Sequence, residues 1–156
     1  MRLEYFVLID RIVELKLGEK TIRTEATVPA TSTIFEGHFP GHPLMPGVLL
    51  IETMAQTSGW LLIGMHKFNK MAVLASVKQA KLRTFVTPGQ VLSASATVLH
   101  DGSGFGVTRA DITCEGKPVC SAELMLRLID FPDASVRRAL EKIAGEIAFP
   151  VESVHG

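Results

Sequence analysis

The feature that most constrains this chain is the run from Pro46 to Met65, PGVLLIETMAQTSGWLLIGM, which carries one charged residue, Glu52. Thr53, Gln56, Thr57 and Ser58 interrupt it often enough to mark a buried helix of a globular protein rather than a membrane span. Val48, Leu49, Leu50, Ile51, Met54, Ala55, Trp60, Leu61, Leu62 and Ile63 spread apolar side chains nearly all round the helix, which predicts full burial. We expect it over about Pro46 to His66, with Pro46 at the first helical position, where a missing N–H costs nothing. Such a helix needs a shell of other elements around it.

The rest of the chain supplies that shell. Alternation from Phe6 to Val28 predicts a strand pair, with Ile22, Thr24, Ala26 and Val28 on one face and a turn near Gly18-Glu19. Four strands are expected near 71–82, 90–100, 105–114 and 117–128, joined at Pro88-Gly89, Asp101-Gly102 and Glu115-Gly116. Leu92, Ala94, Ala96 and Val98 share one face, and Cys120, Ala122, Leu124, Leu126 and Leu128 another. Pro29 to Pro46 is too rich in proline and glycine for a regular element. Two strands, one buried helix and four strands make an α+β order, and one long antiparallel sheet curled round the helix buries both.

From Asp133 to Ile147, Val136, Leu140, Ile143, Ala144 and Ile147 recur at helical spacing among charged residues, which predicts an amphipathic surface helix. The chain therefore divides into a body, 1–131, and a helical extension, 132–156.

Composition narrows the function classes. Sixteen basic and sixteen acidic side chains leave no net charge, which argues against a nucleic-acid binder. Cys114 and Cys120 are too few for a structural zinc site or a disulfide framework. A two-residue loop at Glu115-Gly116 sets Cys114 opposite Lys117 and Cys120 opposite Asp111, with the thiols on opposite faces and reduced. The N-terminus lacks the order of a signal peptide, so the expected location is cytoplasmic, with no membrane span.

The chemistry is concentrated between Gly37 and Gln56, GHFPGHPLMPGVLLIETMAQ. His38 lies in a proline-stiffened loop and Glu52 inside an apolar helix, on the face shared by Val48, Gln56 and Gly59. A carboxyl in such surroundings must be paired or held protonated. The Gly47 and Val48 amides fall in the first helical turn, where N–H groups lack internal partners and the helix dipole favours negative charge. A base, an acid and an oxyanion site are what α,β-elimination from a β-hydroxyacyl thioester requires. The plainer readings are a structural loop histidine and a buried carboxylate paired with a distant arginine. His42 follows His38 by four, but Pro40 and Pro43 exclude the helix that a metal pair would need, so no metal is expected. His66 and His100, at element ends, read as solvated, and Met45, Met54 and Met65 as packing.

This stretch resembles the signature of the β-hydroxyacyl-acyl carrier protein dehydratases of the FabZ type, which have the hot-dog fold. The G-H-F-P loop and the P-G-V-L…E…A-Q helix carry the resemblance, and FVLIDRIVEL and KLRTFVTPGQVL extend it over roughly Phe6 to Leu128. It implies His38 and Glu52 as a catalytic dyad facing each other across a dimer interface, and Gly47 and Val48 as oxyanion donors. Phe39 and Gln56 would contact the substrate. It further implies dehydration of (3R)-3-hydroxyacyl-acyl carrier protein for fatty-acid or lipid A acyl chains. The implied assembly is a homodimer, or a trimer of such dimers, without a bound cofactor. Related dehydratase/isomerases carry Asp and Cys where this chain has Glu52 and Val48, so isomerisation is not expected.

The chain departs from the pattern at Thr31 to Glu36, TSTIFE, and in its long extension. The stripe on that extension is expected to lie on the outer sheet face, across the dimer, or at the exit of an acyl tunnel. No acid occurs from Thr53 to His100, whereas Lys67, Lys70, Lys78, Lys81 and Arg83 do. A solvated face is one reading. A docking patch for an acidic carrier protein, centred on Lys78, Lys81 and Arg83, is the other. A hot-dog acyl thioesterase and a non-catalytic acyl-binding dimer are the alternative functions.

Overall fold

The structure, a computed structural model, describes residues 1–155, so Gly156 at the end of the extension lies outside it. Six strands, β1 (Arg11–Lys16), β2 (Thr21–Thr27), β3 (Met71–Leu82), β4 (Val91–Gly102), β5 (Phe105–Cys114) and β6 (Lys117–Ile129), form one antiparallel sheet in the order β1-β2-β4-β5-β6-β3. Four helices accompany them: α1 (Thr33–Gly37), α2 (Gly47–Met65), α3 (Ala134–Glu146) and α4 (Glu152–His155). Because β2 and β3 lie towards opposite ends of the strand order, α2 crosses the concave face between them. Register shifts in four of the five strand pairings let the sheet curl around it. This is the hot-dog arrangement expected from the sequence.

Burial explains the wrap. The expected sheet faces turn inward, with Ile22, Ala26, Leu92, Ala94 and Ala96 buried against α2 residues such as Met54, Leu61 and Leu62. Two hydroxyl pairs cross the interface, Thr24 to Thr57 at 2.9 Å and Ser58 to Thr108 at 2.7 Å, so the polar positions of α2 are satisfied inside the core. At Gly106 a Cβ would fall 2.5 Å from Leu62 Cδ2, so any larger residue would force the fully buried Leu62 side chain to shift. Only glycine allows that approach.

α2 is long and apolar enough to cross a membrane, but 67% of the apolar window is buried inside the fold, as in a core helix. Its burial is nevertheless one-sided, contrary to expectation. From Thr53 onwards most positions are buried, whereas Val48 in the first turn is 71% exposed and Leu49, Ile51, Glu52 and Gln56 are only half-buried. A sheet wraps one flank of a helix, and the first turn projects past it. Pro46 is the residue before the helix rather than its first position, with ψ of 135°.

Two local readings also change. The stretch before α2 is not wholly irregular, because Ser32 caps a single turn, α1, by accepting from the Ile34 amide at 3.1 Å. The Glu115-Gly116 hairpin forms with Cys114 opposite Lys117, but Cys120 faces Ile112 and Asp111 faces Ser121. A bulge at Val119 inserts one residue into β6, so both thiols belong to the face that carries Ile112 instead of opposite faces. Burial, with a smaller push from Asp111, raises the Cys120 thiol to about 11.

The extension forms α3 as expected, capped by Asp133, whose carboxylate accepts from the Ser135 and Val136 amides. It does not lie on the outer sheet face. Ala144, Ile147 and Phe149 are buried, and the Phe149 ring meets Phe68 edge-on at 5.1 Å and Trp60 of α2 at 6.0 Å. The Ile12 amide donates to the Ile147 carbonyl at 2.7 Å. The extension thus covers, around Trp60, part of the flank of α2 that the sheet leaves open.

Candidate active site

His38 follows α1 directly, and its loop is fixed by backbone hydrogen bonds. The His38 amide donates to Ile34, the Leu44 amide to His38, and Phe39 and His42 exchange a pair at 2.9 and 2.8 Å. From outside, Glu4 accepts from the Ser32 hydroxyl at 2.7 Å and the Thr33 amide at 2.9 Å, and these bonds, the Ser32 one foremost, lower its carboxyl to about 2. The His38 ring stacks on Phe39, with centroids 4.1 Å apart. Nδ1 lies 2.9 Å from the Leu44 carbonyl. A carbonyl can only accept, so Nδ1 carries the proton and Nε2 of the neutral ring presents its lone pair. The local geometry has therefore selected the tautomer a general base needs.

Glu52 is built differently. It sits half-buried on the open flank of α2, and burial raises its pKa against a smaller opposing effect from Gln56, whose Nε2 donates to it at 3.3 Å. Gln56 was expected to contact substrate, yet its amide is already engaged. Its Nε2 also donates to the Phe6 carbonyl at 2.9 Å, and its Oε1 accepts from the Leu8 amide at 3.0 Å. Gln56 ties the N-terminal segment to α2 and orients the carboxyl. That segment, Phe6 to Ile9, read as the start of a strand, instead runs beside α2, with Leu8 and Ile9 buried.

Within one chain the two groups line separate cavities. His38 borders one of about 530 Å³ with Phe39, Gly47, Leu82, Arg83 and Phe85. Glu52 borders another, of about 240 Å³, with Gln56, Trp60 and residues of α3. Gly47 and Val48 begin α2, and its first backbone bond to Pro46 is made by the Leu49 amide, at 3.0 Å. Their own N–H groups precede that bond and have no partner within the helix, and Gly47 borders the His38 cavity.

Lys78 and Lys81 lie on the exposed half of β3, and Arg83 just past its end. Lys81 and Arg83 border a shallow groove with Arg109, and Arg83 also reaches the His38 cavity. Lys78 stands opposite Glu123 in the β3–β6 ladder. His100 is exposed as expected, whereas the His66 Nε2 meets the Asp101 carboxylate at 3.0 Å. Met45 and Met54 are packed in the core, and Met65 is half-buried. Among the described residues no group of three or more His, Cys, Asp or Glu is arranged to hold a metal.

The family model of the FabA-like domain matches residues 2–123. The chain belongs to that family. Among curated relatives, the 3-hydroxyacyl-[acyl-carrier-protein] dehydratase FabZ of Ligilactobacillus salivarius is 40% identical over 119 residues, covering 76% of this chain and 84% of that protein. The enzyme of the same name from Levilactobacillus brevis is 39% identical over 117 residues, covering 74% of this chain and 78% of the relative. The dehydratase heterocomplex ApeI:P of Xenorhabdus doucetiae shares the fold, with a TM-score of 0.64 at 20% identity over 86% of this chain and 89% of that one. A hypothetical thioesterase with coenzyme A from Streptococcus pneumoniae does so too, with a TM-score of 0.62 at 17% identity over 79% and 88%. Among residues not assigned to the site itself, Leu140 and Ile143 line the Glu52 cavity; the extension's stripe to which they belong had the exit of an acyl tunnel among its expected places. Their signal was the apolar stripe of the extension, which showed that it must be covered but not by what.

Proposed function

We propose that this FabA-like chain dehydrates (3R)-3-hydroxyacyl-acyl carrier protein to the trans-2-enoyl thioester, for fatty-acid or lipid A acyl chains, with His38 and Glu52 as its base and acid. The observation that carries the reading is the complementary preparation of these two groups. His38 holds its Nδ1–H on the Leu44 carbonyl and so leaves Nε2 as its basic nitrogen, and burial raises the Glu52 carboxyl towards its protonated form. His38 removes the α-proton, and the electron pair moves onto the thioester oxygen, which the Gly47 and Val48 amides stabilise. Collapse of the enolate forms the α,β double bond and expels the β-hydroxyl, which takes the Glu52 proton and leaves as water. A proton passing from imidazolium to carboxylate resets the pair.

The site is composite, with His38 of one protomer meeting Glu52 of a second copy. Three features support this: the separate cavities within one chain, the open first turn of α2, and β3 at the sheet edge with Val73, Val77 and Leu82 exposed. A homodimer, or a trimer of dimers, would close the gap. The substrate arrives on a cytoplasmic carrier protein guided by Lys78, Lys81 and Arg83, with Phe39 beside the thioester. Its own phosphopantetheine arm makes a bound cofactor unnecessary.

The test is an assay on hydroxyacyl-carrier substrates that follows enoyl absorbance and free thiol together. Enoyl formation without thiol release is the expected result. Thiol release without enoyl would make the chain a thioesterase, and neither signal would leave an acyl-binding dimer.

A further inference from the structure

The cavity beside Glu52 has a second wall that the body of the fold does not supply. It lies between α2 and α3, with Gly59 and Trp60 on one side and Leu140 and Ile143 on the other. Glu52 is the one titratable side chain on its lining, and the amide of Gln56 is committed elsewhere. The rest is hydrocarbon. A pocket of this kind, with one acid at its rim, suits a ligand that is polar at one end and aliphatic beyond it. Gly59 keeps the α2 side of the space open, because it places no side chain there.

The far wall is fixed rather than loosely apposed. Ala144 and Ile147 are buried, the Ile147 carbonyl accepts from the Ile12 amide at 2.7 Å, and Phe149 wedges against Trp60. Gly64 of α2 leaves just enough room for this, since a Cβ there would lie 3.1 Å from the Phe149 ring. Leu140 and Ile143 are only half-buried, and the face they share with the cavity is what a bound chain would cover.

We propose that α3 is the end wall of the acyl pocket and that Leu140 and Ile143 set the acyl chain length the enzyme accepts. The inference rests on the dehydratase reading, because it is the protonation of the β-hydroxyl that brings the third carbon to Glu52. Carbons beyond it then run from the rim towards α3. A wall on a rigid helix measures their number, and side-chain volume at 140 and 143 sets the limit.

Trp60, the sole tryptophan, lines the cavity and so reports occupancy without turnover. The experiment uses the full-length protein with hydroxyacyl-carrier substrates of graded length and with pantetheine thioesters brominated at the terminal carbon, since bromine quenches indole on contact. Ile143→Phe and Leu140→Phe should each lower kcat/KM for the longest accepted chains by at least about tenfold, because one methylene in an apolar pocket is worth roughly 10–200-fold. The shortest substrates should be unaffected. Ile143→Ala should extend the accepted range, and quenching of Trp60 should grow with chain length up to the same limit. An equal loss at every length in both Phe variants, or turnover of long substrates with no quenching of Trp60 by their brominated counterparts, would overturn the proposal and leave the dehydratase reading standing. If no length yields enoyl product, the dehydratase reading fails instead, and the quenching profile alone decides whether the pocket takes an acyl chain.

Discussion

The loop that carries His38 and the flank of α2 that carries Glu52 prepare their side chains by opposite means. The loop is a lattice of hydrogen bonds, and Glu4, held ionised by the Ser32 and Thr33 donors, anchors it from outside. Its product is a histidine whose Nδ1–H is held on a carbonyl, so that Nε2 is the basic nitrogen. The α2 flank works by withdrawing water from a carboxyl, so that Glu52 favours its protonated form. Hydrogen bonds can select a tautomer at a surface, whereas at Glu52 it is burial among apolar neighbours that raises the carboxyl. That is why the proposed acid sits on a core helix and the proposed base on a loop.

The largest effects should come from breaking either region. His38→Ala and Glu52→Gln are each expected to lower kcat by about 10²–10⁴-fold, the usual contribution of one acid–base group, with the fold retained by circular dichroism. Near wild-type turnover in either variant would remove that residue from the mechanism. Mixing the two inactive variants should then restore activity after subunit exchange, because a mixed dimer owns one intact pair. Failure to recover, with exchange verified, would place both groups of a working site within one chain.

Smaller effects are expected at the docking surface. Charge reversal at Lys78, Lys81 and Arg83 should raise KM for carrier-linked substrate several-fold and flatten its salt dependence, with little change on short synthetic thioesters. Equal loss on both substrates would mean damage to β3 rather than to docking.

The mildest test compares the two carboxyls through stability. Glu52 has a folded pKa above its ordinary 4.5, so stability present below that value is lost as pH rises towards the raised value. Glu52→Gln should therefore raise the Tm at neutral pH, with the gain vanishing below about pH 4.5. Glu4 has the opposite sign. Its folded pKa of about 2 against an ordinary 4.5 means that its contribution is present above 4.5 and lost as pH falls towards 2. Glu4→Gln should lower the Tm slightly at neutral pH and converge with wild type in strong acid. Parallel curves for both variants would show that the two regions are not electrostatically distinct.

Much of this molecule was legible from the order of its residues. The span of α2, the four later strands, the inward faces through Leu92 and Leu124, and the α3 stripe all follow from periodicity, because a buried face repeats with its element. The state of Glu52 was partly legible too, since a carboxyl inside an apolar helix must be paired or held protonated, whereas the bond between His38 Nδ1 and the Leu44 carbonyl could not be read from spacing. What periodicity does not carry is the register after a bulge. One extra residue at Val119 moved Cys120 from Asp111 to Ile112, and the adjacent Pro118 marks a break in the pairing without fixing the register beyond it. Nor does it carry which flank of an all-apolar helix stays open. The exposure of Val48, the commitment of Gln56 to Phe6 and Leu8, and the seating of α3 against Trp60 depend on where distant segments meet. Local sequence determines what each element must bury, and only the tertiary structure decides which neighbour buries it.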